Sequence, residues 1–313
     1  MFDPESFSRV NGWNGARNAV NFDTLLLGVD GGGTRCRARL CAPSGNRLGE
    51  AITGPANIRL GLDESLAAVR EAARQCLRQA SLSERDLSKI IACLALAGAS
   101  EPAEIMAARA RKHPFRSTLF TTDAHAACIG AHRGNDGGVI IVGTGSIGWA
   151  VLSGSQYRVG GWGLPLSDEG SGAWLGRELL RRVLWAHDGR APRTGLLDAA
   201  FEQFQCDPHV IVRFATRALP RDFGALAPLV VDHVQRDDAA AVDLMGLAGA
   251  HIDRLADRLI ALGAPRLALV GGLAQYMEPW VSQETAARLV RPEGDALDGA
   301  LQLARAEAQA AAA

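Results

Sequence analysis

Two stretches of this chain share one layout, and the pair constrains the fold more than any other feature. Residues 25–52 read as an apolar strand, the turn DGGGT, a second strand, a short turn and a third strand. Residues 138–160 repeat that order around the turn GTGS. Each stretch predicts a three-stranded meander, and two matching meanders, one in each half of the chain, indicate a duplicated domain.

Alternating helix and strand patterns follow each meander. In the first half, helix patterns at 63–80, 101–112 and 123–132 alternate with strand patterns at 89–98 and 117–122. In the second half, helix patterns near 171–187 and 239–262 precede a strand that ends at Gly271 and Gly272. This order predicts an α/β fold with two mixed sheets, each flanked by helices, and a cleft between the two halves.

Composition narrows the class of protein. Hydrophobic residues make up 48% of the chain and the net charge is -1, so neither a nucleic-acid surface nor a polybasic membrane patch is indicated. Apolar runs stay below the roughly 18 residues that cross a bilayer, and the start lacks a signal pattern. We therefore expect a cytoplasmic protein without nucleic-acid or membrane partners. Residues 1–21, rich in Asn and Gly, are expected to form a loosely ordered arm.

The two glycine and threonine turns are the first candidate site. They comprise Gly31, Gly32, Gly33 and Thr34 in the first half and Gly143, Thr144, Gly145 and Ser146 in the second. Concave rows of main-chain N–H groups bind anions, and glycine lets a phosphate approach the main chain. We predict that the turns hold a polyphosphate between them. Ordinary hairpin turns are the alternative, although hairpins usually need only about two special residues.

Asp30 ends an apolar strand immediately before the first turn. A buried carboxylate without a partner is unfavourable there. A hydrated Mg²⁺ bridging to the phosphates would supply that partner, because this ion keeps several waters and uses one or two carboxylates. The alternative is a carboxylate that caps an Asx-type turn.

Asp123 lies where the strand pattern LFTT ends and a helix of small residues begins. One interpretation is a general base that takes a proton from a substrate hydroxyl. The other is a helix N-cap, a position that Asp favours.

The loop GGWGLPLSDEGSGAWLG, residues 160–176, combines six glycines with the neighbouring acids Asp168 and Glu169. Such a polar loop suits a binding lip whose carboxylates accept hydrogen bonds from sugar hydroxyls. A capped helix start, with Ser167 or Asp168 as the N-cap, is the alternative. Capping explains the acids but not the glycines up to Gly170.

Together, these motifs resemble the N-acetylglucosamine kinase and BadF-type ATPase family, within the actin, Hsp70 and sugar kinase fold. The resemblance runs from about Leu25 to Leu303 and rests on the order DGGGT, GPANI, TDAHAA, GTGS, GWG, DEGS and LVGGLA. It implies two duplicated ribonuclease H-like (actin-like ATPase) domains. Residues 22–133 with a C-terminal helix at 298–313 would form one domain, and residues 134–297 the other.

The resemblance also implies roles for single residues. The two turns would bind phosphates, Gly271 and Gly272 would contact adenosine, and Asp123 would be the catalytic base. The sugar-binding residues would be Asn57, Asp123, Gly145, Gly161, Asp168 and Glu169. ATP and Mg²⁺ are the implied cofactors, with Asp30 holding the metal through water.

The segment TRALPRDFGALAPLV, residues 216–230, resembles the bacterial amino-sugar kinase branch. That branch implies phosphorylation of the 6-hydroxyl of N-acetylglucosamine or glucosamine, and we also expect a homodimer. Family members that activate dehydratases carry cysteines for an iron–sulfur cluster, and the six cysteines here do not fall in that arrangement. A nucleotide-driven switch acting on a partner protein remains the alternative, followed by a sugar-sensing binding protein without turnover.

Overall fold

The computed structural model describes residues 23–59, 61–99 and 102–311. These residues form two mixed sheets flanked by helices, the predicted fold class. The predicted arm at residues 1–21 lies outside the described residues, as does Glu101 at the start of one predicted helix. Within the described ranges, no helix is long and apolar enough to cross a membrane.

The first sheet has five strands, β1 (Leu25–Gly31), β2 (Cys36–Cys41), β3 (Arg47–Thr53), β4 (Ile90–Leu96) and β5 (Ser117–Thr121). Their order is β3-β2-β1-β4-β5, with β1, β2 and β3 paired antiparallel and β1, β4 and β5 paired parallel. Strand β4 has the sequence IIACLAL and all seven residues are buried. Such a continuous apolar run is expected of a central parallel strand that is covered on both faces.

The helices of the first half are α1 (Leu62–Gln79), α2 (Pro102–Arg109) and α3 (Asp123–His132), with a 3₁₀ turn at Glu84–Lys89. Helix α1 packs Leu66, Val69 and Leu77 into the core beside the first sheet, as the three- and four-residue spacing of its apolar stripe requires. Helix α2 ends three residues before the predicted Lys112.

The second sheet repeats the first. Its strands are β6 (Gly137–Val142), β7 (Ser146–Leu152), β8 (Ser155–Gly160) and β9 (Leu267–Val270). Their order, β8-β7-β6-β9, has the connectivity of β3-β2-β1-β4. A single parallel bridge between Leu267 and Leu289 adds a remnant of a fifth strand beside β9.

The helices of the second half are α4 (Gly172–His187), α5 (Gly195–Gln203), α6 (Pro208–Ala215), α7 (Pro220–Gly224), α8 (Ala227–Val234), α9 (Ala239–Ala261), α10 (Ala274–Met277), α11 (Gln283–Ala286) and α12 (Ala296–Ala310), with a 3₁₀ turn at Glu278–Trp280. Helices α4 and α9 agree with the predicted ranges to within one residue at each end. Helices α5 to α8, which we call the helical insertion (residues 195–234), were not predicted. In the first half, the chain between the meander and β4 forms only α1 and a 3₁₀ turn.

The last helix returns to the first sheet. Ala300 and Ala304 of α12 pack with Leu26 of β1 and Ile91 of β4. Helices α12 and α3 also contact each other so closely that a Cβ added at Gly130 would collide with the carbonyl oxygen of Asp295. Glycine is therefore required at this crossing. The proposed boundaries, 22–133 with 298–313 and 134–297, remain a prediction.

Five of the six cysteines are buried free thiols, and Cys206 is exposed in the turn between α5 and α6. Across the described residues, no group of three or more His, Cys, Asp or Glu side chains could hold a metal ion by itself.

Candidate active site

One cleft, with a volume of about 500 Å³, brings the two halves together. It lies where β1, β4, β5 and β6 end, and the carboxyl ends of parallel strands are the usual ligand sites of α/β sheets. The predicted site residues that line it are Gly32, Gly33, Thr34, Asn57, Asp123, Gly143, Thr144, Gly145, Ser146, Gly161 and Asp168. Residues far apart in sequence thus share one cavity.

The remaining predicted site residues do not line this cleft; they are Asp30, Gly31, Glu169, Gly271 and Gly272. Gly31 is tightly packed, since an added Cβ would lie 2.6 Å from Cδ2 of Leu96. Gly271 has a φ of 105°, and an added Cβ would collide with the carbonyl oxygen of Val142. These two glycines are therefore required by close packing, whatever further role they have.

Gly33 and Gly143, one glycine in each turn, leave open space in the cleft. None of the described residues with positive φ belongs to either turn, so left-handed backbone does not explain the glycines. A Cβ added at Gly143 would meet no atom within 4 Å, and one at Gly33 would be nearest to Nδ2 of Asn57, at 3.9 Å. The space beside the main chain is what a bound phosphate needs. This geometry disfavours the plain hairpin interpretation.

The second turn is anchored on the start of α4. The carbonyl oxygen of Gly143 accepts a hydrogen bond from the N–H of Gly172 at 2.8 Å, and that of Thr144 accepts one from Ala173 at 3.1 Å. The hydroxyl of Ser146 donates to the carbonyl oxygen of Glu169 at 2.7 Å. The turn is therefore fixed before any ligand enters, which reduces the entropy lost on binding.

Asp30 has a partner that the sequence argument missed. Arg37, opposite it on β2, donates from Nε at 3.1 Å and from Nη2 at 2.7 Å, both to Oδ2 of Asp30. The same guanidinium reaches Asp295 through Nη1 at 2.9 Å. The premise that the Asp30 carboxylate lacks a protein partner was therefore wrong. Its proposed role toward a metal stays a prediction.

Asp123 is the first residue of α3 but not its cap. Thr122 is the N-cap, because its hydroxyl oxygen accepts a hydrogen bond from the N–H of His125 at 3.0 Å. Oδ1 of Asp123 accepts one from the N–H of Ala124 at 2.9 Å. The N-cap interpretation of Asp123 was therefore wrong, and its carboxylate lines the cleft.

The surroundings of Asp123 suit a proton acceptor. Its side chain is half-buried where it lines the cleft. Burial, helped by the negative charge of Asp30, raises the pKa of Asp123 to about 6, against the opposing effect of the Ala124 N–H. A general base works best with a pKa near the operating pH. Asp123 is then mostly ionised at neutral pH while retaining affinity for a proton.

Asp168 ties the second turn to the loop that follows β8. We call residues 160–170 the lip. Oδ1 of Asp168 accepts a hydrogen bond from the N–H of Gly163 at 3.3 Å, and a Cβ added at Gly145 would lie 2.7 Å from Oδ2. Asp168 has a φ of 64°, an uncommon conformation for a residue other than glycine. Burial raises the pKa of Asp168, although main-chain N–H groups of Gly163 and Ser146 stabilise its charged form.

Asn57 is held by its own loop. Its Oδ1 accepts a hydrogen bond from the N–H of Arg59 at 3.1 Å, and its main chain forms a parallel bridge with Ala97 just beyond β4. With Oδ1 engaged, the Nδ2 amide lies on the side of Gly33 in the first turn. Glu169 differs, since its Oε2 accepts from the hydroxyl of Ser167 at 3.4 Å outside the cleft lining.

Sequence reasoning missed several residues of the cleft. Three arginines line it: Arg59 from the loop after β3, Arg158 from β8 and Arg221 from the helical insertion. Trp149 lines it as well and lies opposite Arg158 across β7 and β8. The sequence offers a signal for one of these residues: Arg158 lies two positions before the glycine pair Gly160 and Gly161. The other two arginines and Trp149 have no such signal.

Comparisons with known proteins agree with this geometry. The chain is 41% identical to the glucosamine kinase GspK of Vibrio cholerae over 278 residues, which is 89% of this chain and 95% of that protein. The crystal structure of a Chromobacterium violaceum protein, assigned as an N-acetylglucosamine kinase, superposes with a TM-score of 0.85 at 35% identity. That match covers 90% of this chain and 99% of the other.

A more distant structure shows the fold alone. The ROK hexokinase of Thermus thermophilus matches with a TM-score of 0.52 at 20% identity, over 90% of this chain and 97% of that one. Residues 27–304, which contain both turns, Asp123 and the lip, match the BadF/BadG/BcrA/BcrD ATPase family. The resemblance seen in the motifs is thereby confirmed, and the chain belongs to the BadF/BadG/BcrA/BcrD ATPase family.

Proposed function

We propose that the protein is an ATP-dependent kinase that phosphorylates the 6-hydroxyl of glucosamine or N-acetylglucosamine. The observation that carries this proposal is that both turns and Asp123 line a single cleft. A bond forms between the sugar 6-oxygen and the γ-phosphorus, and the bond from that phosphorus to the β,γ-bridging oxygen breaks, releasing ADP. Asp123 takes the hydroxyl proton.

The turns supply the phosphate cradle. Their main-chain N–H groups and the exposed hydroxyls of Thr34 and Thr144 are the donors available to phosphate oxygens. Such donors are already in place when charge develops in transfer, which is how phosphoryl transfer is mainly catalysed. Gly271 and Gly272 are the proposed adenosine contacts. They follow β9, and the N–H of the next residue, Leu273, donates to the carbonyl oxygen of Val142 beside the second turn at 3.0 Å.

Asp30 is the proposed Mg²⁺ residue. A hydrated Mg²⁺ that is also bound by phosphates needs only one or two carboxylates, so the lack of a three-ligand cluster among the described residues is compatible with it. Both hydrogen bonds from Arg37 go to Oδ2, so Oδ1 is the oxygen that a metal-bound water would use. When bound, the ion neutralises charge that develops on the phosphates.

Asn57 and Asp168 are the proposed ring contacts, with Gly145, Gly161 and Glu169 beside them. The amide of Asn57 and the buried carboxylate of Asp168 face the cleft from its two halves. Hydroxyl groups of a sugar can be held by one donor and one acceptor placed in this way. The names of the two similar proteins, a glucosamine kinase and an assigned N-acetylglucosamine kinase, support an amino sugar as substrate.

An ADP-release assay across a sugar panel tests the proposal. The panel includes glucosamine, N-acetylglucosamine, N-acetylmannosamine, glucose and a control without sugar. We expect ADP release to depend on sugar and to be fastest with one of the first two, because closure around sugar excludes water as an acceptor. ATP hydrolysis that ignores every sugar would favour the nucleotide-driven switch instead. A cytoplasmic homodimer without nucleic-acid or membrane partners remains our expectation.

A further inference from the structure

Arg158 holds three consecutive residues of the lip. Its Nε donates to the carbonyl oxygen of Gly160 at 3.0 Å, and its Nη2 donates to that of Gly161. The guanidinium carbon lies 3.9 Å from the centroid of the Trp162 ring, a cation–π geometry. The arginine also lines the cleft, so one side chain joins the lip to the cavity.

The backbone of the lip explains why this arginine can make both bonds. Gly160 and Gly161 have φ values of 67° and 68°, which place both residues in the left-handed region. In this conformation, which glycine adopts readily, both carbonyl oxygens accept hydrogen bonds from Arg158. Farther along the lip, Asp168 accepts a hydrogen bond from the N–H of Gly163. Arg158 and Asp168 therefore both fix the main chain of the lip.

The charge of Arg158 also acts on two carboxylates that line the cleft. Its positive charge favours the ionised forms of both Asp123 and Asp168. Arg158 is thus placed to organise the sugar side of the cleft.

We propose that Arg158 is a positioning residue for the sugar: it fixes the main chain of Gly160 and Gly161 in the geometry that receives the ring and supplies positive charge to the cleft that Asp123 and Asp168 line. The inference rests on the proposed function. It adds a residue that the lip motif, GWG followed by DEGS, does not contain. Lysine cannot replace it, because one ammonium lacks the planar fork that reaches two carbonyl groups and stacks on an indole.

The test measures sugar binding by calorimetry and steady-state kinetics for the wild-type protein, Arg158→Gln and Arg158→Lys. We expect Arg158→Gln to weaken sugar binding and raise the sugar KM about 10- to 100-fold, with the ATP KM within about twofold. Arg158→Lys should recover only part of the loss. Arg190→Gln is the control, since Arg190 also lies near a tryptophan ring, that of Trp185, but is outside the cleft.

A second variant guards against misfolding. Trp162 is 71% exposed, so Trp162→Ala should fold, and we expect it to weaken sugar binding about threefold by removing the cation–π partner. Sugar binding unchanged in both Arg158→Gln and Trp162→Ala would overturn the inference. If wild type binds sugar in an Arg158-dependent way but releases no ADP with it, the kinase proposal fails and the inference stands. If wild type binds no sugar, both fail.

Discussion

The two turns that face the cleft have matching places in the two sheets but different chemical surroundings. Between paired residues, the first turn has four residues, 32–35, and the second has three, 143–145. Near its end, β1 carries the charged residue Asp30, which pairs with Arg37. The last residues of β6 are the apolar Ile141 and Val142. The second turn lies against a buried carboxylate, that of Asp168.

This difference shows what duplication provides and what it does not. Repeating the meander yields two rows of main-chain N–H groups, which suit the ends of a polyphosphate. The carboxylates are distributed unequally, with the proposed metal residue beside the first turn and the proposed sugar residue beside the second. Asp123, at the start of α3, is the acid of the cleft that belongs to neither turn. The proposed chemistry depends on this asymmetry.

The largest expected effect comes from the acid that lies between the turns. Asp123→Asn should lower kcat by at least about 100-fold and change the ATP KM by no more than a few-fold, because only the proton acceptor is removed. Asp198→Asn is the control, since Asp198 is also in the first turn of a helix but outside the cleft. Helix capping cannot account for a loss, because Thr122 is the cap. A fully active Asp123→Asn enzyme would eliminate Asp123 as the base.

The sugar side of the comparison rests on Asn57 and Asp168. Their alanine variants should raise the sugar KM by about one to two orders of magnitude, because a hydrogen bond to a charged or amide group is worth roughly 1.5–3 kcal/mol. The ATP KM should barely change. Asp168→Asn should be measured beside Asp168→Ala, since Asn tolerates the left-handed backbone at this position. Equal effects on the ATP and sugar KM values would contradict a division between the two turns.

The metal side of the comparison rests on Asp30. Asp30→Asn should raise the Mg²⁺ concentration needed for half-maximal activity about 10- to 100-fold, the usual effect of losing a group that binds a metal through its outer shell. Glu50→Gln is the control, because Glu50 also pairs with an arginine of the same sheet, Arg39, but, unlike Asp30, does not adjoin either turn. If Asp30→Asn needed the same Mg²⁺ concentration as the wild-type enzyme, Asp30 would pair with Arg37 but would not help to bind the metal.

The glycines test whether both turns bind phosphate. Gly33→Val and Gly143→Val should each weaken ATP binding about tenfold or more, because a branched side chain would fill the space that a phosphate needs. Both sites are open and neither has positive φ, so the variants should fold. Gly246→Val, at an equally open site on α9, is the control. If calorimetry shows weaker ATP binding for only one of these two variants, the nucleotide does not contact both turns.

The smallest effect is that of pH. Because Asp123 must be ionised to accept a proton and its pKa is raised to about 6, kcat/KM should be constant above that pH and fall below it. The loss approaches about tenfold for each pH unit, as expected for one protonation. The acidic limb should be missing from the residual activity of Asp123→Asn. If kcat/KM of the wild-type enzyme began to fall only near pH 4, burial would not raise the pKa of Asp123.

Both meanders, the long helices and several residues of the cleft could be predicted from the sequence. The two meanders have strict strand periodicity and glycine-marked turns, and the long apolar stripes of α1 and α9 fix their helical assignment. The order of the short motifs placed Asn57, Asp123 and Asp168, which the fold brings to one cleft.

Other features depend on contacts between distant residues. The helical insertion consists of helices of five to nine residues, too short for a clear period. The pairing of Asp30 with Arg37 follows from the register of β1 and β2, which the sequence does not specify. The hydrogen bonds of Arg158 form only because the left-handed glycines bring the main chain of the lip close to its side chain. Thr122 and Asp123 are equally good cap residues by type, so the backbone decides between them.

The most direct test of the central claim is to identify the phosphorylated product. Purified protein, ATP, Mg²⁺ and either glucosamine or N-acetylglucosamine would be followed by phosphorus NMR, with the ADP formed measured in the same sample. The cleft geometry predicts one sugar 6-phosphate for each ADP, and no such product from Asp123→Asn on the same timescale. Inorganic phosphate as the only product, in equal amounts with and without sugar, would contradict phosphoryl transfer to a sugar in this cleft.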